Sequence, residues 1–316
     1  MPAPLEVQHE LALLVESEIP MSIVEAEPVA DAGIAARMQN VRKELMRHVG
    51  GEQHFAKRTG DIIRSAVDYV IDAPTLFRYS VADLEPDEKT AVGKRIERLL
   101  RFNFKIPRGK KLDIYLAGED VDIKTTMGKN WMFSKSSHDR INLLFAYDES
   151  KATFSVGLAY VLEDHLNAPN RDQKRSLSSE HRSNISWILK DASYQPNFLG
   201  MLPKSDLDKI VSPKSGLQRV VNLLRLSTGV VIPRHVICSV ANQKDPMKRI
   251  RSNGGARDLL WDESILVLSG TYDGDKRIAQ EALGIHLGND ETLSVHSQDP
   301  RMSVQLVEAY KKGHQL

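Results

Sequence analysis

The chain has 316 residues, of which 41% are hydrophobic and 27% are charged, and its formal net charge at pH 7 is +1. This composition is typical of a globular protein with one or two domains. The sequence contains no apolar run near the ~18 residues that span a bilayer, and its acidic N-terminus is unlike a signal peptide. The single cysteine, Cys238, lies in the apolar run HVICSVA. It therefore argues against disulfides and cysteine zinc sites, and it predicts a reducing, cytoplasmic location.

Charge is distributed unevenly along the chain. Residues 1–165 contain 22 Lys and Arg against 26 Asp and Glu, whereas residues 166–316 contain 21 against 16. The two halves therefore carry about −4 and +5, and this asymmetry predicts a binding function for the basic half.

The first half of the chain shows helical patterns and then strand patterns. Residues 1–30 are acidic and weakly patterned, and we interpret them as an N-terminal extension. Helices are predicted where apolar residues recur at intervals of three and four, and strands where short apolar runs are rich in β-branched and aromatic residues. The predicted helices are Ile34–Val49, Gly60–Ile71 and one that opens at Asp87-Glu88, and the predicted strands are Arg140–Tyr147 and Thr153–Val161. Helices followed by mixed strands indicate a compact α/β unit over residues 31–164.

The segment KLDIYLAGEDVDIKTT, residues 111–126, predicts a tight hairpin. Apolar and polar residues alternate on both sides of Ala117-Gly118, with the period expected of half-buried strands. A turn centred on Ala117-Gly118 places Asp113 opposite Asp122, and Lys124 points to the same side as Asp122. Two carboxylates at that separation repel each other unless a cation lies between them.

A carboxylate pair with an adjacent lysine is typical of metal-dependent phosphodiesterases. Asp113 and Asp122 are predicted to bind Mg²⁺, which prefers oxygen ligands, and Lys124 is predicted to orient or help deprotonate the attacking water. Glu97, on a predicted helix sixteen residues before Asp113, is a candidate third catalytic and metal-binding carboxylate. The same pattern also fits a solvated sheet face with a surface ion pair between Asp122 and Lys124, and the pattern alone does not separate these interpretations.

The segment HLNAPNRDQKRSLSSEHR, residues 165–182, is polar and basic and predicts a linker. Beyond it, residues 183–316 predict a second, mostly helical domain. The predicted elements are a helix over Gly216–Leu226, a helix from Pro233 through Val240, a third helical segment that opens at Asp245-Pro246, a strand over Ser264–Ser269 and a turn at DGD. Three short helices followed by a β-hairpin is the order of a winged helix-turn-helix.

Basic residues are concentrated in this second domain. We predict DNA-binding roles for five of them, namely Arg234, Lys248, Arg249, Arg251 and Arg257. Lysine and arginine neutralise phosphates, and arginine can bind guanine through two hydrogen bonds in the major groove. A solvated, mildly basic helix face is the alternative interpretation, and the order of the helices favours DNA.

Four segments of the chain resemble the NaeI family of type IIE restriction endonucleases. LDIYLAGEDVDIKTT resembles the family's active-site hairpin, with Asp113 nine residues before Asp122, and RIERLLRF supplies its helical glutamate as Glu97. APNRDQKRSLSSEHR resembles the basic stretch between the family's two domains, and DPMKRIRSNGGARDLL resembles a signature of its C-terminal DNA-binding domain. Order and spacing agree over residues 37–284.

The resemblance implies an α/β (α+β) fold with two domains. The N-terminal one is a PD-(D/E)xK restriction-endonuclease-like domain with a mixed central sheet flanked by helices, and the C-terminal one is a winged helix-turn-helix domain. It also implies a Mg²⁺-dependent homodimer that binds two copies of double-stranded DNA, one as substrate and one as effector in the C-terminal domain. We therefore expect a type II site-specific endonuclease with Glu97, Asp113, Asp122 and Lys124 as its catalytic residues.

Two other functions stay open at this stage. One is a MutH-like nicking endonuclease of DNA repair, which would cut one strand only. The other is a DNA-binding regulator that keeps the nuclease fold without cleaving DNA, although the intact set of Asp113, Asp122 and Lys124 argues against it.

Overall fold

The computed structural model describes residues 32–316, so the predicted N-terminal extension lies outside the described residues. Within them the chain forms two compact units. The N-terminal unit comprises residues 32–70 and 84–197, and the C-terminal unit comprises residues 71–83 and 198–316. No helix in the described part of the chain is long and apolar enough to cross a membrane.

A five-stranded sheet forms the centre of the N-terminal unit. Its strands are β1 (Ile114–Leu116), β2 (Glu119–Thr126), β4 (Arg140–Asp148), β5 (Thr153–Val161) and β7 (Ser186–Ser193). Their order is β1-β2-β4-β5-β7, with β2 and β4 parallel and the other neighbours antiparallel. The predicted mixed central sheet is therefore confirmed, and β4 and β5 are where the apolar runs predicted them. Two short strands, β3 (Met132–Phe133) and β6 (Arg175–Ser176), pair with each other.

The long helices of the N-terminal unit are α1 (Ala32–Val49), α2 (Glu52–Ile71) and α4 (Pro86–Asn103). Helix α1 buries Met38, Val41, Leu45 and Val49, which recur at helical spacing and confirm its prediction. Helix α2 begins eight residues before the predicted start at Gly60. A Cβ at Gly60 would lie 2.9 Å from the Cβ of Tyr194, so this glycine allows close packing inside the helix rather than marking its start.

The predicted domain boundaries need correction. Residues 165–182 belong to the N-terminal unit, where β6 pairs with β3 and Leu166 bridges to Leu177. Strand β7 then completes the central sheet beside β5, so the boundary lies after residue 197 rather than at 164–182. A loop-like composition indicates that a segment lacks regular secondary structure. It does not indicate which unit the segment packs against.

The C-terminal unit contains short helices around a three-stranded antiparallel sheet. Its helices are α3 (Ala73–Leu76), α5 (Lys204–Val211), α6 (Gly216–Leu226), α7 (Arg234–Ala241), α8 (Ala256–Trp261), α9 (Asp273–Leu283) and α10 (Val304–His314). Its strands are β8 (Val231–Pro233), β9 (Ile265–Ser269) and β10 (Glu291–His296), in the order β8-β10-β9. Helix α3, from residues 71–83, belongs here, and Asn242 Nδ2 after α7 donates to Thr75 Oγ1 at 2.9 Å.

Several predictions for this unit are confirmed and others differ. Helix α6 has the predicted bounds, and α7 and β9 lie within a residue of theirs. The predicted third helical segment is instead a 3-10 turn over Pro246–Arg249, then a loop, then α8. The predicted DGD turn is the first turn of α9. Residues beyond Gly284 form β10 and α10, and Leu293, Val295 and Tyr310 bury their side chains in the same core as β9.

Candidate active site

The hairpin of β1 and β2 has the predicted register. Ile114 pairs with Val121, Tyr115 with Asp120 and Leu116 with Glu119, so Asp113, immediately before β1, lies opposite Asp122. Ala117 and Gly118 have φ values of 51° and 82°, the pair of positive angles that defines a type I′ turn. This turn matches the twist of the two strands and fixes which residues face each other.

Asp113 has a pKa well above its usual value. Its Oδ2 accepts a hydrogen bond of 2.8 Å from the Ile123 N–H. Burial, the hydrogen bond to Asp122 and the charges of Glu97 and Asp122 together raise the pKa of Asp113 to about 7. The repulsion that the sequence predicted between the two carboxylates is therefore present, and it contributes to the raised pKa of Asp113.

Asp122 is the ionised member of the pair. Its side chain is buried, at 5% exposure, and burial alone would raise its pKa. Hydrogen bonds from Asp113, Lys124 and Ser137, together with the charge of Lys124, hold the pKa of Asp122 below its usual value. Lys124 Nζ lies 2.6 Å from Asp122 Oδ2, and the Ser137 hydroxyl donates to the same oxygen.

The two carboxylates provide a pair of oxygen ligands for a cation. Oδ2 of Asp113 accepts from the Ile123 N–H, and Oδ2 of Asp122 contacts Lys124 and Ser137. Hard divalent cations prefer such oxygen ligands and keep several waters. A cation between the carboxylates would offset the repulsion that helps to raise the pKa of Asp113, so the chemistry of the donor set fits a divalent metal.

Glu97 reaches this site from helix α4. It is half-buried, its charge contributes to the raised pKa of Asp113, and it lines the same cavity as Lys124. Among residues 32–316, however, no group of three or more His, Cys, Asp or Glu side chains is close enough to hold a metal ion. Glu97 therefore does not form such a group with Asp113 and Asp122.

A cavity of about 570 Å³ opens in front of Lys124. Helix α4 contributes Lys89, Lys94 and Glu97 to its wall, and the segment between β5 and β7 contributes Asp172 and Lys174. The segment predicted as a linker therefore forms part of the wall of the active-site cavity. The lysines of the cavity wall place positive charge beside Glu97 and Asp172, which favours a polyanionic ligand.

Sequence reasoning missed two supporting residues. Ser137, which is fully buried, donates to Asp122. Asn142, opposite Asp122 in the pairing of β2 and β4, donates to the carbonyls of Ser137 at 3.0 Å and Arg140 at 2.9 Å. No sequence signal identifies them, because their contacts depend on the parallel pairing of two strands that are separated by a loop.

The predicted DNA-binding residues of the C-terminal unit divide into two groups. Lys248 and Arg251 are exposed, Arg249 is half-buried, and Arg234 forms an exposed ion pair with Asp290 at 3.2 Å. These four residues lie in the 3-10 turn, in the loop after it and at the start of α7.

Arg257 belongs to the other group, and its prediction as a DNA contact needs correction. The residue is 1% exposed, and its Nη2 donates to Asp275 at 2.9 Å and to the Val267 carbonyl at 2.8 Å. Its Nη1 bonds to His314. Arg257 therefore joins α8, β9, α9 and α10 inside the unit.

A hairpin that presents two aspartates and a lysine on a mixed sheet is typical of metal-dependent nucleases. Comparison with known proteins identifies the family. The model of the family Restriction endonuclease NaeI matches residues 43–303. The Type II restriction enzyme NaeI of Lentzea aerocolonigenes is 34% identical over 232 residues, which cover 71% of this chain and 73% of that protein. The chain belongs to the NaeI family of restriction endonucleases.

Family membership makes the chain a type II restriction endonuclease that acts on duplex DNA. Enzymes of this type generally use a divalent metal. The resemblance noted from the four sequence segments is therefore confirmed.

Proposed function

We propose that the N-terminal unit cleaves DNA with Mg²⁺ bound between Asp113 and Asp122. The two facing carboxylates support the proposal most strongly, because their repulsion contributes to the raised pKa of Asp113 and a divalent cation between them would relieve it. When bound there, the metal lowers the pKa of a coordinated water and offsets charge on the phosphate.

Each residue has a distinct role in this proposal. Asp122, ionised and fixed by Ser137 and Lys124, provides the permanent carboxylate ligand, and Asp113 releases its proton to become the second. Lys124 orients the attacking water or donates to the phosphate, as its ammonium lies at the mouth of the cavity. Glu97 acts through a water on the same cavity wall.

We further propose that the C-terminal unit is a winged helix-turn-helix that binds a second DNA copy as effector. The succession α6, β8, α7, α8, β9, α9 and β10, in which β9 and β10 pair antiparallel on either side of α9, supports this proposal. The exposed cations Lys248 and Arg251 are available to contact phosphates. A homodimer would place one catalytic site on each strand of a symmetric target.

Digestion of a plasmid of known sequence, with and without Mg²⁺, tests the catalytic proposal. We expect discrete linear fragments with Mg²⁺ and none from Asp122→Ala, which should still retard DNA in a gel. Asp164→Asn, at a carboxylate that is 82% exposed, is the matched control and should cleave normally. Intact DNA with the wild type would contradict cleavage, and nicked circles alone would favour the single-strand enzyme.

A further inference from the structure

A second cavity lies beside the active-site cavity in the N-terminal unit. It has a volume of about 570 Å³, and Met127 and Tyr147 line both cavities. Thr126 pairs with Ala146, and Ala146 pairs with Ser155, so these residues form one row across the sheet. Because side chains alternate along a strand, this row lies on the face that carries Asp122 and Lys124.

A β-bulge ends the row at strand β7. Phe154 pairs with Ala192 and Val156 with Leu189, so Lys190 and Asp191 together oppose Ser155. Asp191 has a φ of 51°, and its N–H donates to Ser155 Oγ at 2.9 Å. As a result, the consecutive side chains of Lys190 and Asp191 are both exposed at the rim of the cavity. In a regular strand, one of the two would lie on the opposite face of the sheet.

The rim combines cations with two carboxylates, the exposed Asp191 and the half-buried Asp148, which lies 3.8 Å from Lys151. Lys129, Lys151 and Arg182 line the cavity together with Lys190 and Asp191. Such cations attract the phosphates of DNA. A carboxylate in the same rim would repel those phosphates, unless it accepts a hydrogen bond from the DNA. In the major groove the base donors are the amino groups of cytosine and adenine.

The length of the row across the sheet is comparable to the width of a DNA groove. Three strand spacings separate Thr126 from the bulge, which corresponds to about 14 Å. The major groove is about 12 Å wide. A scissile phosphate beside Lys124 would therefore leave the base edges of the adjoining groove within reach of the bulge.

We propose that the Lys190–Asp191 bulge reads one base pair of the target, with Asp191 as the acceptor for a cytosine or adenine amino group. Lys129 and Lys151 bind the phosphates beside that pair. This inference rests on the proposed cleavage by the N-terminal unit. It assigns part of the target specificity to a strand that is separate in sequence from the catalytic hairpin.

Asp191→Asn is the decisive variant, because asparagine has the same shape and tolerates a positive φ while it replaces one acceptor oxygen with a donor. The wild-type target is first mapped by sequencing the ends of its plasmid fragments. Duplexes with each single base-pair change are then cleaved with Mg²⁺. We expect kcat/KM of the variant on the target to fall about 5- to 150-fold, with discrimination lost at one position only.

Two further variants separate base reading from general effects. Lys151→Ala should weaken binding to all duplexes alike and reduce the salt dependence by about one phosphate contact. Asp164→Asn should leave rate and discrimination unchanged. A thermal unfolding curve for Asp191→Asn that matches the wild type confirms that the fold is retained.

An unchanged discrimination profile for Asp191→Asn, or an equal loss on every duplex, would overturn base reading by this bulge while leaving cleavage established. Failure of the wild type to cleave any duplex would instead overturn the proposed function, and the base-reading inference with it.

Discussion

The two aspartates of the candidate active site face each other across one hairpin, but their pKa values are shifted in opposite directions. Asp113 has a raised pKa because it is partly buried beside two other carboxylates, whereas Asp122 has a lowered pKa because Lys124 and Ser137 bind it. Removal of either charge should abolish cleavage. The effects on stability should nevertheless differ in sign.

Asp113→Asn should stabilise the metal-free protein, and Asp122→Asn should destabilise it. With a pKa of about 7 when folded and 3.8 when unfolded, Asp113 binds more protons in the folded state, so its contribution to stability falls as pH rises through that window. We expect Asp113→Asn to gain about 1–2 kcal/mol at pH 8, a value reduced because the carboxyl is only partly buried.

Thermal unfolding in EDTA between pH 4 and pH 8 measures both effects. The advantage of Asp113→Asn should grow up to about pH 7 and then level off, as the linkage relation requires. Equal stabilities of the wild type and both variants across this range would contradict the assigned charge states.

Ser137 offers a second prediction at the residue scale. Ser137→Ala removes a buried donor to the ionised Asp122, so the carboxylate loses part of its orientation. We expect metal binding to weaken about 10- to 100-fold, while KM for DNA changes little. Metal titration by calorimetry and by cleavage rate measures this effect. Ser136→Ala, at an exposed neighbour, is the control, and equal metal affinities for both variants would contradict the role of Ser137.

At the scale of elements, helix α8 exposes apolar and acidic side chains rather than basic ones. Leu259 in the helix and Asp262 and Glu263 just after it are exposed, whereas Arg257 is buried. The cations that remain available lie before the helix, at Lys248 and Arg251. DNA contacts of this unit are therefore expected from the 3-10 turn and loop rather than from the exposed face of α8.

Arg257→Ala and Arg251→Ala should consequently have different effects. The first leaves the buried Asp275 with His314 as its remaining ion-pair partner and should lower the free energy of unfolding by about 3 kcal/mol. The second should leave stability unchanged and weaken DNA binding. Chemical denaturation and gel shifts measure the two effects. Weaker DNA binding by Arg257→Ala with unchanged stability would show that Arg257 contacts DNA after all.

Local patterns predicted some elements well and others poorly, for physical reasons. The hairpin of β1 and β2 was predicted down to its register, because alternation and the Ala117-Gly118 turn are local properties. The contacts of Ser137 and Asn142 were not, since they arise from pairing between distant strands. Arg257 illustrates the same limit, as its burial depends on Asp275 and on α10, far along the chain.

At the scale of the whole molecule, the position of β7 has a direct consequence for fragments. A fragment of residues 32–182 lacks β7 and leaves β5 as an unpaired edge, whereas a fragment of residues 32–197 keeps all five strands of the sheet. We expect the shorter fragment to aggregate, because it exposes apolar surface and free backbone groups. Soluble yield and circular dichroism compare the two. Equal solubility and equally cooperative unfolding would contradict this prediction.

Residues 71–83 interrupt the N-terminal unit and belong to the C-terminal one, where Thr75 accepts a hydrogen bond from Asn242. Within residues 32–316 the chain therefore passes from one unit to the other three times, after residues 70, 83 and 197. A single genetic crossover near residue 197 would combine residues 198–316 of one parent with α3 of the other. Residues 71–83 and 198–316 would then come from different parents and would have to pack against each other. Recombination between relatives therefore exchanges this unit intact only when the gene segments for both stretches come from the same parent.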